Sequence, residues 1–212
     1  MNKNLTEVVF ILDASGSMYD LTNDTIGGFN SMLSEQKKKD GEVLISTVLF
    51  NNESKVIYDR KPLKEIPDMT EKDYIATGCT ALMDAMGDAI HHISNVHKYI
   101  REEDVPHSTL FIITTDGLEN ASHKYSSDEV KKMVSEKKEL GWEFAFLGAN
   151  IDAVETAKRY GIEEDMAVLY KNDKVGTKTR YRAMANLMDM AVCESFDSSW
   201  KADIEKDTKE RK

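Results

Sequence analysis

Apolar positions along the chain fall into two kinds of run. The first kind is short and nearly continuous: Val8-Val9-Phe10-Ile11-Leu12, and residues 42–51, 108–115 and 143–148. Such runs, rich in β-branched and bulky side chains, are too short for helices and predict strands buried on both faces, as in a parallel sheet. The second kind keeps helical spacing. Residues 22–39 carry Ile26, Phe29 and Leu33 on one face, with Thr22 or Asp24 as the cap. The pair Gly27-Gly28 would let that helix approach the sheet or a loop closely, and Lys37-Lys38-Lys39-Asp40-Gly41 ends it. Leu82, Met86, Ala89, Ile90, Ile93, Val96 and Ile100 form a stripe that runs to about Arg101. Ser126 opens a third helix, with Val130, Met133, Val134 and Leu140 as its inner face. Asp152 caps a fourth, ending at Tyr160-Gly161, and residues 176–198 form the last, with Met184, Leu187, Met188, Ala191 and Val192 buried.

Strands therefore alternate with helices, which predicts a doubly wound α/β domain. Residues 55–59 return directly after the turn Asn51-Asn52-Glu53-Ser54, so they pair antiparallel with the preceding strand at a sheet edge. Residues 61–68 read as irregular, residues 71–76 as a short helical turn, and residues 166–170 as a last short strand. The fold class is α/β: a mostly parallel sheet with one antiparallel edge strand and helices on both faces. Residues 1–199 are expected to form one domain, and residues 200–212, rich in Lys, Glu and Asp, a frayed tail.

The 212 residues are 41% apolar and 31% charged, an ordinary globular balance. A formal net charge of −10 argues against nucleic acid and against anionic membrane surfaces as partners. Cys79 and Cys193 have neither disulfide-framework nor metal-ligand spacing. With no signal-like segment and no run of membrane-spanning length, a cytoplasmic location is the expectation. His91, His92 and His97 lack the spacing of a helical zinc motif and read as surface or half-buried residues.

Candidate chemistry gathers at strand ends. The first apolar run leads into Asp13-x-Ser15-x-Ser17, and a later one into Thr115-Asp116-Gly117. Gly78-Cys79-Thr80 offers a hydroxyl just before a helix. In open α/β sheets ligands sit outside the carboxyl ends of strands. Carboxylates with hydroxyls make a hard, oxygen-only set suited to Mg²⁺, Mn²⁺ or Ca²⁺. Taken alone, Asp13 to Ser17 also fits an ordinary turn, with Gly16 supplying the bend and Ser17 capping the next helix.

Together these stretches resemble the metal-ion-dependent adhesion site of von Willebrand factor type A domains, over residues 7–198. Asp13, Ser15 and Ser17 match the Asp-x-Ser-x-Ser loop, Thr80 the threonine loop, and Asp116 the second aspartate loop. Cys79 departs from the glycine that commonly precedes that threonine. The resemblance implies a Mg²⁺ ion (Mn²⁺ or Ca²⁺ as alternatives) held by these five residues. A carboxylate from an Asp or Glu of a partner protein fills the open coordination position. The rim is then Met18, Tyr19, Cys79, Gly117, Glu119 and Asn150; a bland reading of Glu119 is a solvated loop acid. The rival function is a Mg²⁺-dependent hydrolase or phosphotransferase with Asp13 as nucleophile. That chemistry needs a carboxylate two residues on, where Ser15 stands, and no lysine-bearing phosphate loop accompanies it.

Overall fold

The first apolar block lies within a longer strand, β1 (Asn2–Asp13), whose residues from Thr6 to Asp13 are all buried. Alternate side chains point to opposite faces. Phe10 meets Phe29 of helix α1 (Thr22–Gln36) edge to face at 5.5 Å. On the other face, Glu7 contacts His97 of α2 (Leu82–Tyr99) at 2.5 Å. A strand covered on both sides must be apolar throughout its centre, which accounts for the unbroken run. The structure, a computed structural model, describes residues 1–211.

Five further strands follow: β2 (Glu42–Phe50), β3 (Ser54–Pro62), β4 (Pro106–Thr115), β5 (Trp142–Gly148) and β6 (Ala167–Leu169). They form one sheet in the order β3-β2-β1-β4-β5-β6. All neighbours are parallel except β2 and β3, the antiparallel edge pair that the tight turn predicts. The chain thus winds outward from β1 to one side, then resumes at β4 on the other. The switch point lies between the carboxyl ends of β1 and β4, where Leu12 pairs with Thr114.

Helices α1 and α5 (Lys174–Cys193) pack together on one face. Gly28 makes this possible: a Cβ there would sit 2.3 Å from the Tyr181 ring, so the close approach is to a helix and not to the sheet or a loop. Helices α2, α3 (Ser127–Lys138) and α4 (Ala153–Arg159) cover the other face. The Ser126 capping box and the Asp152 cap form as the sequence predicts.

Several local expectations fail. Neither Thr22 nor Asp24 caps α1; Leu21 precedes it, at the end of a 3-10 segment over Gly16–Leu21. The expected helical turn at residues 71–76 does form, as a single turn closed by the Tyr74 N–H on the Thr70 carbonyl at 3.1 Å. Leu140 lies beyond the end of α3 and is 65% exposed, so it leaves the inner face. Val192, inside the last turn of α5, is also partly exposed.

The largest correction concerns the end of the chain, where the expected frayed tail is a docked helix. Trp200 is fully buried and donates its indole N–H to the carbonyl of Asp165 at 3.0 Å. Lys201 donates to the carbonyls of Glu164 (2.6 Å) and Ala167 (3.0 Å). Helix α6 (Ala202–Glu210) then lies against β6 and α5, with Ile204 fully buried. Apart from buried Lys201, the charges of this segment lie on its exposed or half-buried side, and two apolar anchors outweigh them.

Trp200→Ala should therefore destabilise the protein by about 3–5 kcal/mol in urea titration, as loss of a buried aromatic does. A frayed tail would give no more than a few tenths of a kcal/mol.

Candidate metal centre

β1 and β4 are neighbours, so their carboxyl ends bring Asp13 and Asp116 together. Asp13 is buried. Its Oδ1 accepts the Ser15 backbone N–H at 2.7 Å. Its Oδ2 accepts the Thr115 hydroxyl (2.7 Å) and the Asp116 N–H (3.3 Å) from the neighbouring strand. The Ser15 and Ser17 hydroxyl oxygens lie 3.0 Å apart, and the Ser17 hydroxyl donates to Asp116 Oδ1 at 2.5 Å. Four of the five predicted ligand residues thus form one hydrogen-bonded chain: Asp13, Ser15, Ser17 and Asp116. Ser17 lies inside the 3-10 segment and its hydroxyl is engaged by Ser15 and Asp116, so it does not cap the next helix as the ordinary turn reading requires.

Thr80, also buried, arrives through its loop. The Gly16 N–H donates to the Gly78 carbonyl at 3.0 Å, and the Thr77 N–H to the Ala14 carbonyl at 2.9 Å. Gly78 has φ of 77°, a left-handed conformation suited to glycine. On the other side, Asn120 Oδ1 accepts the Thr80 N–H at 2.9 Å, and the Asn120 N–H donates to the Thr80 carbonyl at 3.1 Å. The threonine loop is therefore tied to both aspartate loops.

Burial pushes the Asp13 carboxyl above its ordinary range, hydrogen bonds from Ser15 and Thr115 work against that, and the nearby Asp116 charge adds to it. Neither aspartate has an ion-pair partner among the described residues. Two adjacent acids at a buried edge, with hydroxyls beside them, fit a divalent cation, which would offset their repulsion. Among the described residues no three His, Cys, Asp or Glu side chains converge on one point. The donor set is carboxylate plus hydroxyl, hard oxygen throughout.

The predicted rim divides. Tyr19 is 72% exposed, Cys79 and Asn150 are exposed, and Gly117 is partly so. Asn150, at φ 56°, donates its side-chain N–H to the Asp116 carbonyl at 3.3 Å. Met18 is buried in the core and cannot serve a rim. Glu119 is neither a rim ligand nor a solvated acid. Its Oε1 accepts the N–H groups of Ala121 (2.8 Å) and Ser122 (2.7 Å), and its Oε2 the Met83 N–H (2.9 Å) and the Ser122 hydroxyl (2.8 Å). It shapes its own loop and binds an orphan N–H at the start of α2.

Other positioning groups carry no motif. The Tyr74 hydroxyl donates to the Asp13 carbonyl at 2.6 Å. Asn172, just beyond β6, donates its side-chain N–H to Asp116 Oδ2 at 2.9 Å. Its location at another strand's carboxyl end is the signal by which it is recognisable. Asp84, buried in α2, accepts the backbone N–H groups of His123 (3.0 Å), Lys124 (2.9 Å) and Tyr125 (3.1 Å). Burial alone would raise its pKa, but those three donors bring it below the ordinary carboxylate range.

A group whose folded-state pKa is depressed stabilises the fold above its unfolded pKa, and that contribution vanishes as pH falls through the folded value. Asp84→Ala should cost about 2–3 kcal/mol at neutral pH, the loss of a charged acceptor to several backbone donors. The gap between variant and wild type should narrow as the pH falls below the carboxylate range. Chemical denaturation across pH measures both.

No protein-family model and no curated protein sequence matches the chain. Solved structures do. The vWF domain of the type V pili tip protein Mfa5 from Porphyromonas gingivalis is 11% identical with a TM-score of 0.64, covering 88% of this chain and 96% of that one. Proximal thread matrix protein 1 from the mussel byssus, with a zinc-occupied MIDAS motif, is 15% identical with a TM-score of 0.58, covering 88% and 46%. Manganese-loaded TRAP protein from Plasmodium vivax is 16% identical with a TM-score of 0.57, covering 84% and 72%. The chain spans about half the length of the mussel protein. What all three likenesses share is architecture, and the chain has the α/β fold of the von Willebrand factor type A domains.

Proposed function

We propose that the chain is a divalent-cation-dependent protein-binding module. Asp13, Ser15, Ser17, Thr80 and Asp116 hold Mg²⁺, with Mn²⁺ or Ca²⁺ as alternatives, and an Asp or Glu side chain of a partner protein completes the coordination. The observation that carries this reading is the hydrogen-bonded chain from Asp13 through Ser15 and Ser17 to Asp116, at the switch point of the sheet. When bound, the ion supplies an electrophile for an incoming carboxylate. The chain's residues keep that character strong. Three of the five donors are neutral hydroxyls, and few direct carboxylates leave the cation's charge largely unneutralised. Asp13 is engaged on both oxygens by Ser15, Thr115 and Asp116, which limits how it can turn. Exposed Tyr19, Cys79 and Asn150 supply contact surface around the centre.

Neither nucleic acid nor a membrane surface is the partner we propose, given the net charge of −10. No described helix is long and apolar enough to cross a membrane. Two exposed free thiols, Cys79 and Cys193, support a reducing compartment, the cytoplasm. Binding is favoured over phosphoryl transfer by Ser15. It occupies the place of the second acid, and its hydroxyl is engaged with Ser17.

Calorimetry should show Mg²⁺ binding to the wild-type protein and none measurable for Ser17→Ala or Asp13→Asn. Asp13 also joins two strands, so thermal melting must accompany its variant; Ser17→Ala avoids that complication. In extracts of the native cell, proteins captured with Mg²⁺ but not with EDTA should be lost with Ser17→Ala. Wild-type protein that binds no Mg²⁺, Mn²⁺ or Ca²⁺ would sink the proposal. Separately, p-nitrophenyl phosphate should not be turned over. Metal-dependent hydrolysis that disappears in Asp13→Asn would establish the enzyme instead.

A further inference from the structure

We propose that Asn172 is a positioning residue of this centre: it holds the Asp116 carboxylate in one orientation and offers its amide oxygen to a proton-bearing group, such as a water molecule, at the site. The inference rests on the metal-site reading above and goes beyond the five motif residues.

The geometry begins with the amide's orientation. Facing a carboxylate oxygen, an asparagine must present its NH₂ group, so Nδ2 lies on Asp116 Oδ2 at 2.9 Å and Oδ1 is turned the other way. That Oδ1 is buried and has no hydrogen-bond partner. A buried amide oxygen left without a donor costs free energy, so such an atom signals a partner group supplied from elsewhere. Being an acceptor only, it calls for a donor.

Asp116 is meanwhile fixed on both sides. Ser17 holds Oδ1 and Asn172 holds Oδ2. With both oxygens engaged, the carboxylate is restrained from swinging into a two-oxygen grip on the cation. Such a grip would consume coordination positions and neutralise the charge that attracts a partner's acid. Outer hydrogen-bond partners of metal ligands act in this way, setting ligand orientation.

The segment bearing Asn172 is held by contacts on both sides. The Asp173 N–H donates to the Lys171 carbonyl at 2.9 Å, and Asp173 Oδ1 accepts the Gly176 N–H at 2.8 Å, capping α5. A Cβ on Gly176 would lie 1.8 Å from the Lys171 carbonyl oxygen, so the turn tolerates no side chain there. Helix α6 and the residue that follows it hold the same segment from outside, with Arg211 paired to Asp173 at 2.6 Å and the Thr208 hydroxyl on the Leu169 carbonyl at 3.3 Å.

The test uses the full chain and MgCl₂ alone. Calorimetry compares wild type with Asn172→Ala, and thermal melting without metal checks that the variant remains folded. The Asn172 side-chain NH₂ pair, assigned in the wild type by triple-resonance NMR, is followed through the same titration. Loss of an outer partner should weaken Mg²⁺ binding at least about tenfold, and the NH₂ pair should move with the calorimetric midpoint. A purely structural asparagine would not report the ion. Wild type that binds Mg²⁺ while its Asn172 pair stays still, or while Asn172→Ala binds within about twofold, overturns the inference and leaves the metal site standing. Wild type that does not bind Mg²⁺ removes both. Should Asn172→Ala fail to fold, the wild-type NMR titration decides alone.

Discussion

The Asp13 carboxylate joins the two central strands. It leaves water at the carboxyl end of β1, and that loss is offset by the Thr115 hydroxyl and the Asp116 N–H reaching across from β4. The same contact places Asp116 where Ser17 can donate to it. The loop after β1 then receives the threonine loop through Gly16 and Ala14. Were β1 and β4 not adjacent, the motif residues would be scattered acids and hydroxyls on separate loops. The site is thus a consequence of sheet order, and the burial that makes Asp13 costly is also what makes it a strong acceptor.

The same device recurs around the centre. Asp84 gathers three successive backbone N–H groups from the loop after Asp116, and Glu119 gathers two more from that loop and one from the start of α2. Loop backbone buried against a helix must find partners, and carboxylates supply strong ones. Part of the chain's acidity therefore serves as internal scaffolding for the metal edge. Farther away, Glu7 is fully buried at the opposite half of β1, between Arg60 (2.6 Å) and His97 (2.5 Å). That pairing accounts for His97 as a half-buried residue of α2.

Much of the architecture was legible in the residues. The apolar runs ending at Asp13, Asp116 and Gly148 mark strands covered on both faces, and the turn at residues 51–54 marks the antiparallel edge. The failures have a common cause. Met18, Leu140 and Val192 were judged by periodicity or by closeness to a motif, whereas their burial depends on where an element ends and what faces it. The segment after residue 199 was judged by its charge, although Trp200 and Ile204 anchor it.

By itself the sequence determined the alternation of strands and helices, the edge hairpin, the helix caps at Ser126 and Asp152, and the oxygen-only character of the candidate site. These follow from steric preference, periodicity and side-chain chemistry acting over a few neighbouring residues. Only the tertiary structure decided that Asp84 and Glu119 would be spent on loop backbone, that Asn172 would meet Asp116, and that the charged end would dock. Apart from the bonds of Glu119 to Ala121 and Ser122, which are local, these turn on partners 34 or more residues away, as between Glu119 and Met83 or Asn172 and Asp116. No local spacing encodes such a meeting, because it exists only once the sheet has brought the strand ends together.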